Sequence, residues 1–302
     1  MTVTRLGSLC TGIAGLELGL TLAGVETKTV FVSDIDRGAN RWLDANEAAP
    51  NLGDFTALDE LPDVDLIVAG FPCQPVSTAG QRAGIHDERW IFDDITRLVS
   101  RMATRPDLFL ENVPGLLTAN DGDAMGRVVH GLAGIGYGIT WGTLPAAAVG
   151  APHRRNRWWG LASHAEGVGH ERARDSRRRR SGFADDRATA PDADRERSQG
   201  RTLYAERRNE QLARARSLGA RFGRYADAVA RWETILGRAA PDPTDNGRLA
   251  PAFVEWMMGY PAGWVTDTLT NRREALHALG NAVVPQCVAA AFVALEARSR
   301  PL

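Results

Sequence analysis

Leu66-Ile67-Val68-Ala69, running into Gly70-Phe71-Pro72-Cys73-Gln74-Pro75, reads as a buried strand that ends in a rigid loop. Four consecutive apolar residues, two of them β-branched, suit a strand covered on both faces. A glycine and two prolines then stop regular structure and leave a thiol beyond the strand's carboxyl end. Leu6–Leu9, Thr29–Val32, Leu108–Leu110 and Ile139–Leu144 repeat the apolar pattern. Leu16–Leu22, Arg37–Asn46, Phe92–Met102 and Ala124–Ala133 read as helices between them. This alternation predicts an α/β fold with a doubly wound, mostly parallel sheet. Ligands of such sheets bind beyond the carboxyl ends of the strands, so the loops after each apolar run are the informative ones.

The chain has 302 residues, of which 44% are hydrophobic, enough for one large core with a small satellite. No run of about 18 apolar residues suggests a membrane span, and the first residues lack the apolar stretch of a secretory signal. Cys10, Cys73 and Cys287 lie far apart with no CxxC pair, which argues against a disulfide scaffold or a cysteine-based zinc site and for a reducing compartment. The net charge of −1 hides an asymmetry. Residues 1–151 carry 10 basic and 19 acidic side chains, whereas residues 152–224 carry 19 basic and 10 acidic. A polyanion could sit against that middle third, or the segment could be a solvated insert. From about Ser163 to Leu249 the strand–helix pattern breaks, with Arg177-Arg178-Arg179-Arg180 inside it. Arg207–Trp232 reads as helical, with Leu212, Leu218, Phe222, Tyr225 and Val229 as a packing stripe. Globular character returns after Asp245-Asn246-Gly247, and Ala282–Ala297 reads as a closing helix. The expected organisation is residues 1–162, an insert over 163–249, and a segment 250–302 that rejoins the first part.

Each loop admits two readings. Gly12-Ile13-Ala14-Gly15 lets backbone approach a ligand, or simply packs. Asp34 can accept the hydroxyls of a ribose, or Asp34 or Asp36 can cap the next helix. Gly53-Asp54-Phe55-Thr56 has the same ambiguity. The turn is not GxGxxG, which favours an adenosine cofactor without a pyrophosphate. Cys73 is a nucleophile or an inert buried thiol. Glu111, just past Leu108–Leu110, is an acid with a raised pKa or the partner of an arginine. Arg155 and Arg157 would share one face of a strand, aimed at a polar ring or at solvent.

Taken together, the chain resembles a DNA (cytosine-5) methyltransferase. Leu9-Cys10-Thr11-Gly12-Ile13-Ala14-Gly15 matches the first cofactor motif, with Cys10 where phenylalanine is usual and Ala14 in place of a glycine. Asp34, followed by Ile35, matches the acid at the ribose, and Asp54-Phe55 the pair at the adenine. Pro72-Cys73-Gln74 with Ser77 matches the nucleophile loop, and Asp87-Glu88-Arg89 leads into the helix that follows it. Glu111-Asn112-Val113 matches a Glu-Asn-Val motif. His153 to Arg157 matches Gln-x-Arg-x-Arg, with His153 in the glutamine place. Gly280-Asn281-Ala282-Val283-Val284-Pro285 matches the last motif, which returns to the cofactor.

The resemblance implies a Rossmann-like methyltransferase with a small inserted target-recognition region. It implies S-adenosyl-L-methionine as cofactor, held by Cys10, Thr11, Gly12, Ile13, Gly15, Asp34, Ile35, Asp54, Phe55, Pro72, Ile91, Asn281 and Ala282. Cys73, Glu111, Arg155 and Arg157 would be catalytic, Gln74 and Ser77 would touch DNA, and no metal is implied. The implied substrate is a flipped-out cytosine in double-stranded DNA. The chain would work as a cytoplasmic monomer, in a prokaryotic cell or a phage-infected host, without an obligate protein partner. An RNA cytosine-5 methyltransferase and a non-catalytic DNA-binding regulator are the alternative readings.

Overall fold

The computed structural model describes residues 3–72, 90–165 and 213–299. Among them, one sheet contains β1 (Thr4–Leu9), β2 (Thr27–Ser33), β3 (Leu66–Gly70), β4 (Asp107–Asn112), β5 (Tyr137–Pro145) and β6 (Asn156–His164). Helices α1 (Gly15–Leu22), α2 (Arg37–Asn46), α3 (Phe92–Arg101) and α4 (Asp123–Gly134) lie between successive strands up to β5. The strand order is β2-β1-β3-β4-β6-β5. The first four strands are parallel, and β6 runs antiparallel to both β4 and β5. This is the doubly wound, mostly parallel sheet expected, closed at one edge by an antiparallel pair.

Alternation along β3 shows why the sheet is covered twice. Leu66 and Val68 belong to one buried cluster, Ile67 and Ala69 to the other. The first cluster includes Leu16 and Leu20 of α1, and the second takes in Phe92, Ile95 and Val99 of α3 with Val128 and Leu132 of α4. The chain leaves β1 and β3 towards different neighbours. The crevice between their carboxyl ends is therefore where an open α/β sheet binds its ligand.

After β6, residues 213–222 are helical and lead to α5 (Ala226–Leu236). The continuous helix read over Arg207–Trp232 is interrupted, because Gly223 takes φ 52° and a short 3₁₀ turn, Gly223–Tyr225, separates the two pieces. Leu218 and Val229 of the apolar stripe are buried in the same cluster as α1, Phe222 stacks on Phe253, and Tyr225 is exposed. Leu212 lies outside the described residues. β6 itself runs on through Ser163 and His164. The two-residue strands β7 (Thr244–Asp245) and β8 (Arg248–Leu249) follow, joined by Asn246-Gly247 with both φ values positive.

Three helices finish the chain: α6 (Pro251–Met257), α7 (Arg272–Asn281) and α8 (Pro285–Ser299). The closing helix begins at Pro285 rather than Ala282, since proline fits a first helical turn where its missing N–H costs nothing. The preceding α7 was not foreseen; Asn271 caps it, accepting from the N–H groups of Arg273 and Glu274. Arg272–Ser299 is long and apolar enough to cross a membrane by composition. Here it is two helices, and α8 buries Cys287, Val288, Ala291, Phe292 and Leu295 in the core shared with α1.

Candidate active site

β1 ends at Leu9, and Cys10–Ala14 turns into α1. Three of these residues have left-handed backbone: Cys10 at φ 53°, Gly12 at 61° and Ala14 at 55°. For Cys10 and Ala14 this costs roughly 1–2 kcal/mol each, so surrounding structure must hold the turn. The Thr11 N–H donates to the Ser33 carbonyl at 3.2 Å, and its hydroxyl accepts from the Ser33 N–H at 3.2 Å. The Gly12 N–H donates to Asp34 Oδ2 at 2.7 Å. The Ile13 carbonyl accepts from Trp264 Nε1 at 2.9 Å. Gly15 is needed for close approach, because a Cβ there would lie 2.2 Å from the Tyr260 hydroxyl.

The other carboxylate oxygen of Asp34 accepts from the Asp36 N–H at 2.8 Å, and burial pushes this carboxyl above its ordinary range. Asp36 is the residue that caps α2, accepting from the N–H groups of Gly38 and Ala39 at 2.9 Å. Ile35, between the two acids, is 73% exposed. Asp54 caps the short turn Phe55–Ala57 through the Thr56 N–H at 3.0 Å, with Phe55 buried beneath. Burial drives the Cys10 thiol far above its ordinary pKa, and Asp34 and Asp54 add to the effect. That thiol is therefore a neutral wall between two acids, not a nucleophile. Ile91 is half-buried at the start of α3. An adenosine-type cofactor fits these residues. An added Cβ at Gly12 would meet nothing within 4 Å, and the exposed Ile35 offers an apolar face beside carboxylates.

Across the crevice, Glu111, next to last in β4, is 9% exposed, and its Oε1 lies 2.8 Å from Arg157 Nε. Burial raises the Glu111 pKa, against the pull of Arg157 and then Arg155. β4 pairs antiparallel with β6, with Glu111 opposite Trp159, so Arg157 meets it on the diagonal of one face. Arg155 does something else. Its guanidinium donates to the Gly280 carbonyl at 2.8 Å and to the Ala282 carbonyl, clamping the chain on both sides of Asn281. Burial lowers its pKa to about 10. The expectation of two arginines aimed together at one ring is thus modified: Arg157 alone pairs with Glu111. His153 Nε2 lies 3.0 Å from the Met257 carbonyl, and burial lowers its pKa, which favours the neutral ring.

Cys73, Gln74 and Ser77 lie outside the described residues. The chain leading to them is anchored, since Asn112, 1% exposed, donates from Nδ2 to the Phe71 carbonyl at 3.3 Å. Pro72, next in line, is exposed. Motif reading singled out neither Trp264 nor the anchoring role of Asn112. Trp264 carries no sequence signal, because its partner is in a distant turn.

A family model described as C-5 cytosine-specific DNA methylase matches residues 4–174. The chain belongs to that family. Curated relatives include the Type II methyltransferase M.BsuFI of Bacillus subtilis, 38% identical over 49% of this chain and 36% of its own length. M.MspI of Moraxella sp is 35% identical over 51% of this chain and 37% of its own. The chain therefore spans little more than a third of these relatives' length. Among solved structures, the Dnmt2 methyltransferase of S. pombe superposes over 98% of this chain and all of its own, with a TM-score of 0.59 at 17% identity. That likeness is one of fold, and it includes the described residues 213–299, beyond the matched part.

Proposed function

We propose that this chain transfers the methyl group of S-adenosylmethionine to C5 of a flipped-out cytosine in double-stranded DNA. The observation that carries the reading is the buried Glu111–Arg157 pair across the crevice from the cofactor-type loop. S-adenosylmethionine, when bound, supplies an electrophilic methyl on a sulfonium. Cys10, Thr11, Gly12, Ile13 and Gly15 would form the floor of its site, with Asp34, Ile35, Asp54, Phe55, Pro72, Ile91, Asn281 and Ala282 around it.

The residues' own part follows from their chemistry. C5 of cytosine is a poor nucleophile. Attack of the Cys73 thiolate on C6 forms an Sγ–C6 bond and moves the ring electrons towards C5. Glu111, which holds its proton above the ordinary carboxylic range, shares it with the ring nitrogen N3. Arg157 faces the carbonyl oxygen and offsets charge developing there. After C5 has gained the methyl, loss of the C5 proton to a base returns the electron pair and expels Cys73. Gln74 and Ser77 close on the DNA. Arg155 acts through the Asn281 turn.

Similarity to bacterial Type II methyltransferases supports a restriction-linked role in the cytoplasm. We infer a monomer without an obligate protein partner, with the insert over 163–249 reading the DNA. The test is covalent trapping. With S-adenosylmethionine and 5-fluorocytosine duplexes, the C5 substituent cannot leave as a cation, so wild-type enzyme should stay bound on a denaturing gel. Cys73→Ser should abolish the adduct; Cys10→Ser and Cys287→Ser should keep it. An adduct mapped to another cysteine, or active enzyme with none, would overturn the mechanism. Methylation of transcript RNA but not duplex DNA would favour the RNA enzyme, and no methylation of either would favour the regulator.

A further inference from the structure

We propose that Trp264 is a positioning residue for the cofactor loop: its indole N–H holds the Ile13 carbonyl and keeps the strained Cys10–Ala14 turn in its binding conformation. The inference rests on reading that turn as the cofactor site. Left-handed backbone at Cys10 and Ala14 would relax if nothing opposed it. Two of the ties that oppose it are local to the sheet, from Ser33 to Thr11 and from Asp34 to Gly12. The third comes from 251 residues away, where Trp264 Nε1 meets the Ile13 carbonyl at 2.9 Å.

Trp264 is itself held rigid. Its carbonyl accepts from Trp42 Nε1 at 2.5 Å, and the two rings lie 5.3 Å apart. On its other side, its ring is 6.1 Å from that of Tyr260, whose hydroxyl donates to the Val283 carbonyl at 3.0 Å. Glu255 accepts from the N–H groups of Gly263, Val265 and Thr266, gripping the backbone on both sides of Trp264. A donor fixed from three directions cannot follow the loop, so the loop must stay where the donor is.

The experiment is Trp264→Phe in the full chain, which keeps the ring and removes the N–H. Calorimetry should show S-adenosylmethionine bound about 3–10-fold more weakly, the worth of one hydrogen bond. KM for the cofactor should rise in step, while kcat at saturating cofactor and duplex affinity stay within about twofold. Trp42→Phe, which frees the Trp264 carbonyl, should weaken cofactor binding in the same direction by less, and it carries the test if Trp264→Phe does not fold. Unchanged cofactor affinity in the folded variants, or a fall in kcat at constant KM, would overturn the proposal. Wild-type protein that binds no S-adenosylmethionine would overturn the proposed function as well, which separates the two failures.

Discussion

Glu111 and Glu17 show how burial alone can set a carboxyl apart. Glu111 keeps a partner in Arg157, so its raised proton affinity is the net of two opposed effects. Glu17, on α1, is buried, and the Ser8 hydroxyl and its own backbone N–H only partly offset the cost of burying its charge. Burial is the main cause that lifts its pKa to about 7, and Glu47 adds to it. Because the folded chain holds this proton more tightly than the unfolded one, its contribution to stability is complete below about pH 4.5. The contribution is lost as pH rises through about 7. Glu17→Gln should remove that slope. Urea titrations of both proteins from pH 4.5 to 8 should show the gap move in the variant's favour by on the order of 3 kcal/mol at most. Parallel stability curves would mean that Glu17 is charged throughout.

At the scale of elements, the turn between α6 and α7 ties the C-terminal helices to the six-stranded sheet. Glu255, 1% exposed, accepts its three backbone N–H groups at 2.8 to 3.0 Å. Trp232 of α5 donates to the Trp256 carbonyl at 3.0 Å, and Arg238 donates to the Tyr260 carbonyl. Trp232 and Arg238 are thereby bound to the segment that leads into the turn whose Trp264 holds the Ile13 carbonyl. Glu255→Gln turns an acceptor into a mixed group facing three donors. We expect it to lower unfolding stability by at least about 2 kcal/mol in urea melts, since charge-assisted hydrogen bonds to buried donors are lost. A smaller loss would show the turn to be held mainly by the packing of Val265 and Leu269.

For the whole molecule, charge is segregated between the acidic first half and the basic residues 152–224. A basic segment of that composition should bind duplex DNA with release of counterions. Affinity measured between about 50 and 200 mM salt should fall by tenfold or more. Deleting residues 177–194 should leave the thermal midpoint unchanged, because they are poor in large apolar side chains, and should flatten the salt slope. If affinity, slope and sequence preference all survive the deletion, recognition rests on residues 204–238 instead.

The sheet was legible in the residues alone. Apolar runs of three to six residues, alternating with amphipathic stretches, can be buried in few ways other than a doubly wound sheet, and β3 shows this in its two-sided packing. Asp36 is a legible cap for the same local reason, since a side chain two or three residues from its N–H partners needs no tertiary structure to find them. What pairs across long separations was not legible. The different partners of Arg155 and Arg157 depend on where residues 280–282 return. The hold of Trp264 on Ile13 joins two segments that no period or motif relates, and only the folded core brings them within hydrogen-bonding distance.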